Sequence, residues 1–281
     1  MGRGCCSCRR APRRGPGRLR ELDEAVIGTI SGGHQRGEDR RCGWTFRTYR
    51  LFVPSSVDPK RPGALIVVLH GGLMTFDRIV EGTGFSELAM RVGFIVVYPK
   101  PEPGVFFNSG DRNLATLTNP PRARIDLTVD DAELVRVLIA RIGAEYVLDS
   151  ARIFATGISN GGSMAHRLGC ELSDQIAAIA PVAGELMVEC HPVRPVSVIE
   201  FHGFDDPIFP FAGGVGKFGG TYPAVEATFA RWRQLDGCPT RGPCNAGSDV
   251  VLHRVPGRHG HGWPPDGAQK IWDFFAAHPR T

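Results

Sequence analysis

The chain has 281 residues and a formal net charge of +4, long enough to bury one substantial core. Residues 1–20 hold seven of the 33 Lys and Arg side chains and no acid, so the rest carries 26 basic against 29 acidic groups; a nucleic-acid-binding domain would carry a basic face on its folded body. The longest apolar run, residues 64–69, is strand-sized and far short of a bilayer span.

Residues 1–24 are expected to be a disordered basic tail, and residues 25–281 a single domain. The tail lacks the apolar segment of a complete signal peptide, and Cys6 stands where a myristoylation pattern needs Ser or Thr. Its cysteines, Cys5, Cys6 and Cys8, lack the second half of a metal knuckle. Residues 46–53 alternate as a strand. Residues 64–69 form a continuous apolar run, as a strand buried on both faces should, and end in His70-Gly71-Gly72. Helix 85–91 is stopped by Gly93, and strand 94–98 follows. Residues 99–128 have no period and carry five prolines; long excursions of this kind tend to be functional. Residues 130–146 form an amphipathic helix with Asp130, Asp131 and Glu133 at its positive end. Strand 152–155, helix 161–172, strands 176–182 and 196–201, helix 224–235, strand 250–255 and helix 268–278 complete the chain. Alternating strands and helices predict an α/β fold, with a mostly parallel central sheet covered on both faces.

Four segments carry chemistry. Gly157-Ile158-Ser159-Asn160-Gly161 matches G-x-S-x-G between a buried strand and a helix, the context of a nucleophile elbow. Strained backbone angles at the serine require small neighbours. The following helix N-terminus, with the Asn160 N–H, would favour developing negative charge. His70-Gly71-Gly72-Leu73 follows an earlier buried strand, so Gly72 and Leu73 are candidates for a second oxyanion donor. A later strand ends in His202-Gly203-Phe204-Asp205-Asp206-Pro207. A carboxylate there can orient a histidine. Pro207 biases Asp206 toward extended geometry, which selects it over Asp205, read as a solvated turn residue. The loop after the last strand carries His259 and His261 among glycines, and both qualify by position as general base. As a metal pair they lack a carboxylate or thiolate at supporting spacing, so neither metal nor cofactor is expected. His34, His166, His191, His253 and His278 have no comparable setting and are read as surface or packing residues. Of the cysteines in the body, Cys42 stands alone, Cys238 with Cys244 could close a short disulfide, and Cys170 with Cys190 a second; free thiols are the alternative.

These motifs, with Tyr49-Arg50-Leu51-Phe52-Val53-Pro54, Pro181-Val182-Ala183-Gly184, His261-Gly262-Trp263-Pro264 and Trp272-Asp273-Phe274-Phe275, resemble the polyhydroxybutyrate depolymerase/feruloyl esterase group of the α/β-hydrolase superfamily, the family-one carbohydrate esterases. The likeness runs from about residue 45 to 278. It implies an acyl-enzyme esterase with Ser159 as nucleophile, Asp206 as triad acid and, through H-x-W-P, His261 rather than His259 as base. The implied substrates are hydroxyalkanoate oligomers or feruloyl and acetyl esters of plant polysaccharide, and the implied location is extracellular or periplasmic. A serine peptidase and a non-catalytic binding protein of the same fold are the alternatives. Leu73-Met74 replaces a longer glycine run, Phe204-Asp205 replaces small residues, and Phe106-Phe107-Asn108 replaces a Trp-Asn, all of which would reshape the pocket. Trp263, Phe107 and Phe209 are expected to bind substrate, with Phe106, Phe211 and Phe218 as further pocket candidates.

Overall fold

The computed structural model describes residues 26–33, 44–101, 105–115, 125–239, 244, 247–255 and 260–280; for residues 26–33, 44–46 and 76 only the backbone is described. The basic tail, Cys42, His34 and His259 lie outside these residues. The elements in chain order are β1 (Val26–Gly33), β2 (Trp44–Phe52), β3 (Gly63–Leu69), α1 (Phe76–Thr83), α2 (Phe85–Val92), β4 (Ile95–Pro99), the single turn α3 (Arg112–Ala115), α4 (Asp131–Gly143), β5 (Leu148–Ile158), α5 (Asn160–Glu171), β6 (Ala178–Val182), β7 (Ser197–Gly203), β8 (Gly214–Val215), β9 (Thr221–Tyr222), α6 (Val225–Leu235), β10 (Val250–Val255) and α7 (Gly267–Ala277). Eight strands form one sheet in the order β1-β2-β4-β3-β5-β6-β7-β10, while β8 and β9 make a separate two-stranded ribbon. The β1–β2 and β2–β4 pairs are antiparallel; every pair from β4 onward is parallel.

The continuous apolar runs reflect burial of both sheet faces. Successive strand side chains point to opposite faces. Leu65, Val67 and Leu69 of β3 therefore pack with α4, α5 and α6, through Leu134, Leu138, Met164, Leu168 and Trp232. Their neighbours Ile66 and Val68 pack on the other face with Phe85 and Leu88 of α2 and Ile271 and Phe275 of α7. Besides the short α3, β8 and β9, two longer elements have no counterpart in the sequence expectations. β1 is rich in glycine and serine, and α1 starts with a Thr75 side chain accepting from the Arg78 N–H and shares its boundary, Gly84, with α2. Of the alternatives left open for the cysteines, the structure forms both disulfides, Cys170–Cys190 and Cys238–Cys244.

Parallel strands place their C-terminal ends on one edge, where sites of open α/β sheets lie. The loops after β3, β5, β7 and β10 meet there, together with residues 105–111 of the proline-rich excursion. Asp131 secures that excursion, a role beyond the helix-end charge expected of it. Asp130 is the N-cap, accepting from the Glu133 N–H at 3.1 Å. Asp131 is buried, pairs with Arg47 at 3.0 Å and accepts the Asn108 N–H at 2.7 Å. Burial raises its carboxyl, with the Arg47 guanidinium pulling against that shift. Asp131→Asn leaves the guanidinium buried without its counter-charge and is expected to cost about 3–5 kcal/mol, read as a lower urea midpoint at unchanged m-value.

Candidate active site

Ser159 has φ 59° and ψ −123° between β5 and α5. A left-handed backbone at a non-glycine residue persists only where its surroundings over-determine it. Here the Ser159 N–H donates to Val182 O at 2.8 Å and its carbonyl accepts from Ser163 at 2.9 Å. The motif glycines are steric requirements. A Cβ at residue 157 would lie 2.6 Å from Leu69 O, and one at residue 161 would lie 2.3 Å from the same oxygen. The end of β3 can thus touch the elbow only if both positions lack side chains.

Contact between β3 and the elbow brings the 70–74 loop over Ser159. The imidazole of His70 is buried against Phe107 at a ring distance of 4.9 Å, and burial lowers its pKa. The Gly72 position is tight, since a Cβ there would fall 1.9 Å from the Phe106 ring. One expectation is corrected: the Leu73 N–H donates to Val105 O at 3.3 Å and is not available as an oxyanion donor. Leu73 lines the cavity rim with φ 62°. Gly72 and the Asn160 N–H at the start of α5, where helical N–H groups lack intrahelical partners, remain the candidate pair. The Asn160 side chain has a separate task that its motif does not announce. It accepts from Phe107 N at 2.7 Å and donates to Phe107 O and Ser109 Oγ at 3.0 Å, locking the 105–111 segment to the elbow.

Asp206 is buried beyond the end of β7. Its Oδ1 accepts the Ile208 and Phe209 N–H groups at 2.8 and 3.0 Å. Its Oδ2 lies 2.8 Å from His261 Nδ1 and 3.4 Å from His202 Nε2. Burial alone would raise this carboxyl. The hydrogen bonds from His202 and His261 outweigh it and hold Asp206 well below the usual carboxylate range. An ionised carboxylate only accepts, so the His261 proton sits on Nδ1. Nε2 of His261 is buried and has no hydrogen-bond partner among the described residues. The imidazole is stacked 5.7 Å from Phe209, and Asp205, exposed as expected, also anchors the His261 loop by accepting the Gly260 N–H at 2.8 Å.

Ser159, His261, Gly72 and Leu73 line one cavity of about 700 Å³. Its aromatic wall is Phe106, Phe209, Phe218 and Trp263. Phe107 is a second correction. It is fully buried against His70, and its neighbour Phe106 lines the space instead. Phe211 packs on Phe204, with ring centroids 4.5 Å apart.

Behind Asp206 lies a buried polar cluster that spacing along the chain did not announce: Glu200 and His202 on β7, Glu185 after β6 and His166 on α5. His166, read as a packing residue, accepts from Trp232 Nε1 at 2.9 Å. Glu185, Glu200 and His202 bring polar atoms within 4.8 Å of one another. The His202 nitrogens face the Phe209 carbonyl at 2.9 Å and Glu200 Oε1 at 3.3 Å, which suits a donor more than a metal ligand.

The fold and the elbow define a protein of the α/β-hydrolase class with a candidate Ser-His-Asp site. Among solved structures, an acetyl xylan esterase from Aspergillus awamori superimposes with a TM-score of 0.61 at 14% identity, over 90% of this chain and 99% of that one. The chain belongs to the esterase PHB depolymerase family, whose profile matches residues 47–236. It is 34% identical to feruloyl esterase B of Piromyces equi over 66% of its own length, and 25% identical to a bifunctional acetylxylan esterase/xylanase of Neocallimastix patriciarum over 82%. It spans only 34% and 33% of those two proteins.

Burial, with the Glu200 charge adding to it, pushes the Glu185 carboxyl up to about 8, against about 4.3 in an unfolded chain. A raised carboxyl contributes stability that is complete below about pH 4 and lost as pH rises through about 8. Glu185→Gln mimics the protonated form. Its stability relative to wild type should climb across that window, as measured by urea unfolding at pH 5, 7 and 9.

Proposed function

We propose that the protein is a serine carboxylic ester hydrolase working through an acyl-enzyme. The observation that carries this reading is the state of His261: Nδ1 is bound to Asp206, while Nε2 is buried, without a partner among the described residues, in the cavity that holds Ser159. In this reading His261 Nε2 takes the Ser159 proton as Oγ attacks the ester carbonyl. The Asn160 and Gly72 N–H groups stabilise the tetrahedral oxyanion. His261 then protonates the leaving alcohol, and a water molecule activated by the same imidazole releases the acid. Asp206 holds the tautomer and balances the imidazolium charge.

The apolar, aromatic-walled cavity suits an ester with an extended or aromatic acyl portion. Hydroxyalkanoate oligomers and feruloyl or acetyl esters of plant polysaccharide are the proposed substrates, the latter in keeping with what the named relatives are called. Two disulfides favour an oxidising, extracellular or periplasmic location. No helix among the described residues is long and apolar enough to cross a membrane.

The test is a panel of p-nitrophenyl acyl esters, methyl ferulate, acetylated xylan, hydroxybutyrate oligomers and a matched anilide, run on wild type and Ser159→Ala. Ester turnover should exceed anilide turnover, and Ser159→Ala should lower kcat at least about a thousandfold with its melting temperature preserved. Equal turnover by the variant would overturn the assignment. Faster cleavage of the anilide than of the esters would turn it toward a peptidase.

A further inference from the structure

His202 is the penultimate residue of β7, four residues before Asp206, and is fully buried. Its Nε2 lies 2.9 Å from the Phe209 carbonyl and 3.4 Å from Asp206 Oδ2, the oxygen that His261 also uses. A carbonyl and an ionised carboxylate both only accept, so Nε2 carries a proton. Nδ1 lies 3.3 Å from Glu200 Oε1.

The charges around this ring decide what Nδ1 carries. Burial raises both Glu185 and Glu200. At Glu185 the Glu200 charge adds to burial, against the Thr228 hydroxyl that donates to it at 2.6 Å, while at Glu200 the facing His202 imidazole opposes burial, so a charge shared by the pair is favoured on Glu200. His166 faces Glu200 Oε2 from α5 at 3.9 Å. Its Nδ1 accepts from Trp232, and burial, with the His202 charge adding to it, lowers its pKa to about 3, so it is neutral. On β10, Arg254 pairs in register with His202 but turns its guanidinium to Glu226 at 2.7 Å. Among the described residues, the other ionisable neighbours are Asp206 and, beyond it, His261.

We propose that His202 is a positioning residue for the triad: a buried imidazolium, donating from both ring nitrogens, that pins Asp206 Oδ2 between itself and His261. This rests on the reading of Ser159, His261 and Asp206 as the triad. The charge agrees with the balance of its surroundings: burial alone would lower the His202 pKa, but the Asp206 and Glu200 carboxylates raise it to about 10. With the cation present, Asp206 spends part of its field on His202. Without it, the whole carboxylate charge acts on His261, and the carboxylate loses one of its anchors.

Two measurements test this. In folded His202→Gln, the acid limb of kcat/KM should move up by about one pH unit. kcat should fall about ten- to hundredfold with KM within about threefold, because orientation rather than substrate binding is lost. A residue that only supports the fold would lower the melting temperature and leave the acid limb in place; that result overturns the proposal. The second measurement needs no variant. In 15N-histidine-labelled wild type at pH 8, one slowly exchanging imidazole should show both ring nitrogens protonated, and absence of such a ring also overturns it. Full turnover by Ser159→Ala would instead strike the triad reading, leaving the spectroscopic signature of a charged His202 unaffected.

Discussion

The left-handed turn at Ser159 constrains everything around it. A non-glycine residue at φ 59° is sterically unfavourable by about 1–3 kcal/mol. It is kept there by the Val182 hydrogen bond, the first turn of α5 and the carbonyl of Leu69 pressed against two glycines. The same closeness that forbids a Cβ at residues 157 and 161 carries the 70–74 loop from β3 to the elbow. The strain is thus supported by the parallel pairing of β3, β5 and β6, and any change that separates those strands also releases the turn.

Electrostatics is arranged in layers away from the cavity. Asp206 gathers two backbone N–H groups on one oxygen and two imidazoles on the other. Behind it, Glu200, Glu185 and His166 lie in the core, where an isolated charge would be prohibitive. The cluster is tolerable because its charges offset one another across β7 and because Glu185 and His166 are shifted toward their neutral forms. The excursion at 105–111 is treated similarly. Its backbone is held by Asn160 and Asp131 rather than by apolar contacts alone, so Phe106 is presented to the cavity from a fixed platform.

Much of this was legible along the chain. A run such as Leu65-Ile66-Val67-Val68-Leu69 can only be a short element buried on two sides, and its alternate residues do reach opposite helical layers. The Gly-x-Ser-x-Gly spacing, the glycines after His70 and the Asp206-Pro207 pair describe local backbone demands, which are written in adjacent residues. Less legible were β1, whose glycines and serine give weak strand signals, and α1, whose eight residues are bounded by Thr75 and Gly84. Phe106 and Phe107 are adjacent and chemically identical. No period over that segment says which ring faces the cavity.

What the amino-acid order determined by itself was therefore the α/β alternation, the left-handed elbow and the succession of serine, aspartate and histidine on separate strand-end loops, because each depends on steric and periodic properties of neighbouring residues. Tertiary structure alone decided that Leu73 gives its N–H to Val105, that Phe107 turns inward against His70, and that His202 and Glu200 stand behind Asp206. Those are contacts between segments tens of residues apart or choices of side-chain direction. They are set only once the sheet has closed and buried polar atoms compete for partners at about 3 Å.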